Sequence, residues 1–266
     1  MTKGNNRSGF TLVELAIVLV IIGLIVGGVL VGQDLIKAAT VRSAVSQIEK
    51  YDTAANTFHS KYSGLPGDLQ NAGNFFATVT AAGGNAQGDN DGLVEDSVGN
   101  TTTACSAALC LAGEGALFWT ELSLAGLISE PTNTVLSTAT ASVTPGDTTI
   151  PQSKLGRGAR IAIGSRTGRN YYVLGNFGTA AITAALSAAT AGVAVIDAFN
   201  LDTKLDDGVA NIGKVVSVAV AAPVPNTAIT GGSATTDCNN AGAYNTSTSG
   251  GGPDAINCSL SIRTSF

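Results

Sequence analysis

From Phe10 to Val31 the chain runs through twenty-two residues interrupted by one charge, Glu14, and the seventeen from Leu15 to Val31 carry none. A helix of that length covers about 33 Å, enough to cross the hydrocarbon core of a bilayer. The pattern then changes. Apolar residues return at Val41, Ala44, Val45, Ile48, Tyr51, Ala55, Phe58 and Tyr62, three or four apart, while Asp34, Lys37, Arg42, Glu49, Lys50, Asp52 and Lys61 mostly fall off that face. No proline intervenes before Pro66. The spacing predicts one helix over 10–62, about 80 Å long, apolar all round in its first half. Its second half lays one face on a globular head, and Gly64 and Pro66 end it.

The remaining pattern is shorter in period. Apolar positions at 117, 118, 122, 124, 127 and 128 predict a short helix over 114–128, stopped before Pro131. A Thr/Ser/Ala-rich stretch, 132–153, reads as loop with one edge strand. Two β-prone runs, 159–164 and 170–175, flank Ser165-Arg166-Thr167-Gly168-Arg169 and predict a hairpin with a glycine-bearing loop. Residues 183–201 read as an alanine-rich helix, and 214–224 and 259–263 as strands, the last within a Gly/Ser/Asn-rich tail. A helix laid on a small antiparallel sheet is an α+β architecture, assigned to 67–266.

Charge places this architecture in a compartment. Lys3 and Arg7 are the only charged residues before the apolar run, which sets the N-terminus on the cytoplasmic side. No small-residue cleavage site follows the run, so the span is retained, and everything after about residue 34 lies outside the inner membrane. Only 12% of the 266 residues are charged and the formal net charge is −5, so the balance predicts no general attraction to polyanions. The four cysteines, Cys105, Cys110, Cys238 and Cys258, then fall in an exported, disulfide-permissive region. Four cysteines allow three connectivities. Local pairs, 105 with 110 and 238 with 258, are expected to staple loops. Zinc is the competing reading, although neither pair has C-x-x-C spacing and the sole histidine, His59, sits elsewhere.

Three stretches carry candidate chemistry. Gly88-Asp89-Asn90-Asp91-Gly92-Leu93-Val94-Glu95-Asp96 offers oxygen donors at alternating positions around a glycine turn, so Asp89, Asp91 and Glu95 are calcium candidates. The spacing is not that of a complete EF-hand, and a solvated turn is the alternative. Asp202-Thr203-Lys204-Leu205-Asp206-Asp207-Gly208 is a second acidic stretch that also suits a helix end. Five of the fourteen Lys and Arg residues lie between Lys154 and Arg169, beside Tyr171 and Tyr172. They suit DNA contact, solvent, or an acidic face of a neighbouring subunit. No catalytic constellation surrounds His59, and GRGARIAIG lacks the strand-then-helix setting of a dinucleotide fingerprint, so no enzyme activity is expected.

Gly9-Phe10-Thr11-Leu12-Val13-Glu14-Leu15, preceded by a short basic leader, resembles the prepilin cleavage and methylation motif of type IV pilins and type II secretion pseudopilins. Phe58-His59-Ser60-Lys61-Tyr62-Ser63-Gly64-Leu65-Pro66-Gly67-Asp68 resembles the segment closing the long helix in many such subunits, and Asp202 to Gly208 resembles a recurrent stretch of their heads. The resemblance implies a pilin-like fold and a leader, 1–9, removed by prepilin peptidase after Gly9, with N-methylation of Phe10. It implies a transmembrane and filament-core segment over 10–33, an amphipathic half over 34–66, and pairing of Glu14 with the N-terminal amine of a neighbouring subunit. Partners would be copies of itself, other pilin-like subunits, the inner-membrane assembly machinery and, before assembly, membrane lipids. The head would be periplasmic, then displayed on a surface or periplasmic filament. Val31 departs from the family, many of whose members carry a proline there; Gly23, Gly27, Gly28 and Gly32 lie close by, at spacings that let helices approach. A pilus subunit, a secretion pseudopilin and a single-pass anchored binding module all remain open.

Overall fold

The structure, a computed structural model, describes residues 12–76, 88–94, 114–130, 150–166, 168–177, 191–218, 238–240, 242–246 and 252–266. Two compact units divide the chain, Met1–Thr40 and Val41–Phe266.

The described part of the first unit is wholly helical, the beginning of α1 (Leu12–Tyr62). An 18-residue window of this helix reaches a mean hydropathy of 3.0, and none of it is buried. Seventeen large apolar side chains from Leu12 to Ile36 are exposed. At roughly 2 kcal/mol for each such side chain left in water, that surface is tens of kcal/mol away from its preferred environment, so lipid or other protein must cover it. The helix continues unbroken through Gly23, Gly27, Gly28 and Gly32, and a Cβ added at any of them would meet nothing.

In the second unit the remainder of α1 buries Val41, Ala44, Ile48, Tyr51, Ala55 and Phe58, the face its spacing predicts, with Val45 and Tyr62 half-buried. Gln47 is buried on the same face. Its carboxamide donates to Tyr51 Oη and the Gln152 carbonyl, both at 2.8 Å, and accepts from the Lys154 N–H at 2.9 Å, so a polar group is tolerated because every part of it is bonded. Helix α1 closes one residue earlier than the glycine suggests. Ser63 takes the left-handed conformation (φ 60°) and donates its N–H to the His59 carbonyl, whereas Gly64 lies against Asn90 and Leu69.

A 3₁₀ turn, Ala72–Asn74, follows, and later α2 (Glu114–Leu124) contributes the wholly buried Leu117, Phe118, Trp119 and Leu122. The sheet begins with the expected hairpin, β1 (Arg160–Arg166) and β2 (Arg169–Gly175), paired antiparallel in the register Ile163 opposite Tyr172. Strand β7 (Ile256–Arg263) lies next to β2, with Tyr172 opposite Ile262 and Leu174 opposite Leu260. Its other edge is shared end to end by β4 (Val215–Val218) and β3 (Val193–Ala194). Ile161, Ile163, Tyr172, Leu174, Leu260 and Ile262 share one face of the sheet, by strand alternation, and are buried; Ala162, Val173 and Ser261 between them are buried too, so both faces are covered here. Tyr51 of α1 meets Trp119 edge-on at 4.8 Å and Tyr172 at 6.4 Å, which ties helix, helix and sheet into one aromatic core. The C-terminal Phe266 closes it, stacked on Phe118 at 6.0 Å.

Two expectations shift. The alanine-rich pattern predicts helix through Val193 and Ala194, but these pair with β7 at Cys258 and Ile256, and helix α3 runs from Val195 to Leu205. Backbone pairing with a central strand outweighs the local propensity there. The last strand begins at Ile256, three residues before the predicted start, because Cys258 and Ile256 complete that pairing. A two-stranded hairpin, β5 (Asn239–Asn240) with β6 (Ala243–Tyr244), is joined to β7 by a Cys238–Cys258 disulfide. The pattern is α+β and antiparallel, with the long apolar helix at its N-terminus, as expected.

Candidate functional site

At the beginning of α1, Glu14 lies in the first helical turn, where the partial positive charge of the helix end favours a carboxylate, and its surroundings are exposed. Gly9 and Phe10 lie outside the described residues, as do Cys105, Cys110 and Glu95. Of the two expected disulfides, 238 with 258 is present.

The acidic turn is placed differently from the sequence expectation. Asp91 is exposed and its carboxylate accepts the Leu93 N–H, while the Asp89 carboxylate accepts the Asp91 N–H; both are local Asx-type bonds. The structure brings Asp89 together with Asp68 and Glu114 instead, one carboxylate oxygen from each lying within 4.8 Å of the others. Asp68 leaves the end of α1 and Glu114 opens α2, so three distant segments converge. The turn is held by its own backbone: Asp68 Oδ1 accepts the Asn90 N–H at 2.6 Å and Oδ2 the Gly92 N–H at 2.8 Å. Gly88 is required because a Cβ there would overlap the Asp68 backbone. Gly67, at φ +84°, is required because a Cβ would overlap the Glu114 carbonyl oxygen.

The electrostatics of this corner are unusual. Two ionised carboxylates about 4.8 Å apart repel by about 3 kcal/mol at an effective dielectric of 20. Burial pushes Asp68 up to about 7, against the lowering effect of the Gly92 and Asn90 N–H groups and with the help of Asp91 and Asp89. Burial likewise pushes Glu121, on the same face of α2, up to about 8; the Gly67 N–H opposes this and the charge of Asp68 adds to it. Asp68, Glu114 and Glu121 were legible only as isolated acids, since nothing in local spacing links 68 to 114 and 121.

The second acidic stretch resolves into a helix end. Asp202, wholly buried in α3, accepts the Tyr244 hydroxyl at 2.8 Å and the Gly208 N–H at 3.3 Å, and Gly208 turns the chain at φ +75°. The basic stretch is partly consumed by the fold. Arg160 is buried and donates to the Ile150 carbonyl at 2.8 Å, and Arg157 donates to the Asp254 carbonyl at 3.1 Å.

Among the described residues, one helix, the N-terminal α1, is long and apolar enough to cross a membrane, and with an antiparallel α+β head carrying a disulfide it fits the class of membrane-anchored proteins. Residues 4–30 match the family model of the prokaryotic N-terminal methylation motif, the prepilin-type cleavage and methylation motif of type IV pilins and pseudopilins. No curated protein and no solved structure matches the chain. The motif supports a type IV pilin-like or pseudopilin subunit, and it implies processing by prepilin peptidase and assembly with other pilin-like subunits. Proteins built on it are structural, not enzymatic, and the motif with its apolar helix fits a membrane-anchored pilin.

Proposed function

We propose that the chain is a structural subunit of a type IV pilus-like filament, cut after Gly9 and N-methylated on Phe10. The apolar half of α1 passes from the inner membrane into the filament core, and the head faces outward. One observation carries this reading: the methylation motif over 4–30 takes in the beginning of a helix whose seventeen large apolar side chains from Leu12 to Ile36 are all exposed. A membrane tether alone would need the span but not the Gly-Phe junction or an early acid. In the filament, the new amine of Phe10 on one subunit meets Glu14 of the next. Opposite unit charges 4 Å apart attract by about 4 kcal/mol at an effective dielectric of 20, which offsets much of the cost of holding a carboxylate among apolar side chains.

Mass spectrometry of the mature chain tests the processing step, with an N-methylated phenylalanine expected at the N-terminus; a chain still beginning at Met1 in cells with active prepilin peptidase refutes it. Glu14→Ala should insert normally in the membrane yet lose filament incorporation. Normal incorporation of that variant removes the proposed pairing. Immunogold labelling of sheared surface fibres with antibody to the head is expected to decorate them, whereas label confined to the cell envelope points to a secretion pseudopilus.

A further inference from the structure

Where α1 ends, the 3₁₀ turn and the 88–94 turn border a cleft of about 270 Å³ on the head. Its walls carry two aromatic rings, Tyr62 and Phe75, and four carboxamides, Gln70, Asn71, Asn74 and Asn90; Ser63 and Leu69 complete it, and no charged side chain lines it. Phe75 is 55% exposed, the most exposed aromatic ring among the described residues. It is held there by its neighbours. The ring meets Tyr62 edge-on at 5.1 Å and Phe76 at 6.4 Å, and Phe76 stacks at 5.9 Å on the wholly buried Phe58. The fold thus keeps an apolar surface in water against the hydrophobic effect. Lys61 Nζ, 4.9 Å from the Tyr62 centroid, already covers that ring, which leaves Phe75 as the open surface.

The carboxamides are uncommitted. Among the described residues none of the four makes a side-chain hydrogen bond, and Asn71 stands at the N-cap of the 3₁₀ turn without capping it. Asn90 is nevertheless fixed, because its N–H donates to the Asp68 carbonyl and carboxylate. Gly64 leaves room for its side chain: a Cβ there would lie 2.7 Å from Asn90 Oδ1.

We propose that this cleft binds a neutral sugar. A pyranose has an apolar C–H face and a rim of hydroxyls, each both donor and acceptor. An exposed aromatic ring complements the face, and a carboxamide, with an acceptor oxygen and an N–H donor side by side, complements two neighbouring hydroxyls. Phosphates, nucleotides and metal ions need opposite charge to offset their desolvation, and the lining supplies none. An apolar protein surface laid here would strand four carboxamides without partners, a cost that a hydroxyl-rich ligand avoids. The volume lies below the range of roughly 300–1,000 Å³ usual for drug-sized ligands and suits one sugar ring at the end of a chain. Every lining residue belongs to the second unit, so the inference concerns the head alone and stands apart from the filament reading.

The test uses the full chain in a detergent without a sugar headgroup, applied to an array of galactose-, glucose-, mannose- and N-acetylglucosamine-terminated neutral glycans beside sulfated and sialylated ones. The strongest terminal sugar is then titrated as the free monosaccharide by saturation-transfer NMR. Retention of at least one neutral glycan is expected, with a millimolar or tighter Kd. Phe75→Ala should weaken it at least tenfold while emission of the buried Trp119 shows an intact head, and Phe75→Trp should restore it. The double variant Gln70→Ala, Asn74→Ala, both residues exposed, should also lose at least tenfold. Phe199→Ala, at the other exposed aromatic ring, should change nothing. Failure to retain any neutral glycan, or retention of anionic glycans alone, overturns the proposal. So does affinity unchanged in folded Phe75→Ala and in the double variant, or self-association of the chain that is lost in Phe75→Ala while no sugar binds, which would make the cleft a contact between copies.

Discussion

Replacing both Cys238 and Cys258 with alanine removes a cross-link whose partners are 20 residues apart in sequence. In the chain-entropy treatment, closing a loop of that size removes about 11 cal/mol/K from the unfolded ensemble, equivalent to about 3 kcal/mol at 25 °C. The head's architecture makes the effect global. Cys258 is wholly buried in β7, the strand that pairs with β2, β3 and β4, and the loop closed by the bond contains the hairpin whose Tyr244 holds Asp202. A domain of this size is stable by only about 5–15 kcal/mol, so the loss is a large share. The assay is urea unfolding of the full chain in mild detergent, followed by emission of the buried Trp119, for the double variant and for wild type with and without reductant. Reduced wild type, in which any other disulfide is opened as well, should lose at least as much stability as the double variant. A loss below about 1 kcal/mol, or a reductant-insensitive wild type beside a strongly destabilised variant, would refute the loop-entropy account.

Two glycines with left-handed backbone separate strain from crowding. Gly67→Ala, where a Cβ overlaps the Glu114 carbonyl, should cost about 3 kcal/mol or more in thermal melts, against about 1 kcal/mol for Gly92→Ala, where a Cβ meets nothing; equal losses would show that crowding is unimportant. Asp202 predicts a pH dependence. Burial raises it to about 6 from 3.8, opposed by the Tyr244 hydroxyl and the Gly208 N–H, with Asp207 and Asp206 adding to the rise. The folded state therefore binds this proton more tightly than the unfolded chain, and the group's contribution, full below about pH 4, is lost as pH rises through about 6. Relative to wild type, Asp202→Asn should gain in Tm between pH 4 and 7, and a constant difference across that range would exclude the linkage.

What could be read from the chain and what could not follow from the range of the forces involved. The buried face of α1 from Val41 to Phe58 and the β1–β2 hairpin were legible, because helix period, strand alternation and a glycine-bearing turn are all local signals. Gln47 was not, since its tolerance in the core rests on Gln152 and Lys154, more than a hundred residues away. Val193 and Ala194 failed for the same reason: their alanine-rich neighbourhood favours helix, and only the edge of β7 makes them strand. The acidic corner shows the limit most sharply. Alternating acids around Gly92 drew attention to Asp89, Asp91 and Glu95 because they are adjacent in sequence, yet Asp91 serves its own turn. The carboxylates that approach Asp89 come from Asp68 and Glu114, 46 residues apart from each other in the chain. Their meeting depends on Gly67 and Gly88, which allow backbone-to-backbone contact where any side chain would overlap. Glycines that look like loop composition along the chain are thus the structural condition for the acidic corner, and a substitution at either should disturb the placement of Asp68 before it alters any carboxylate.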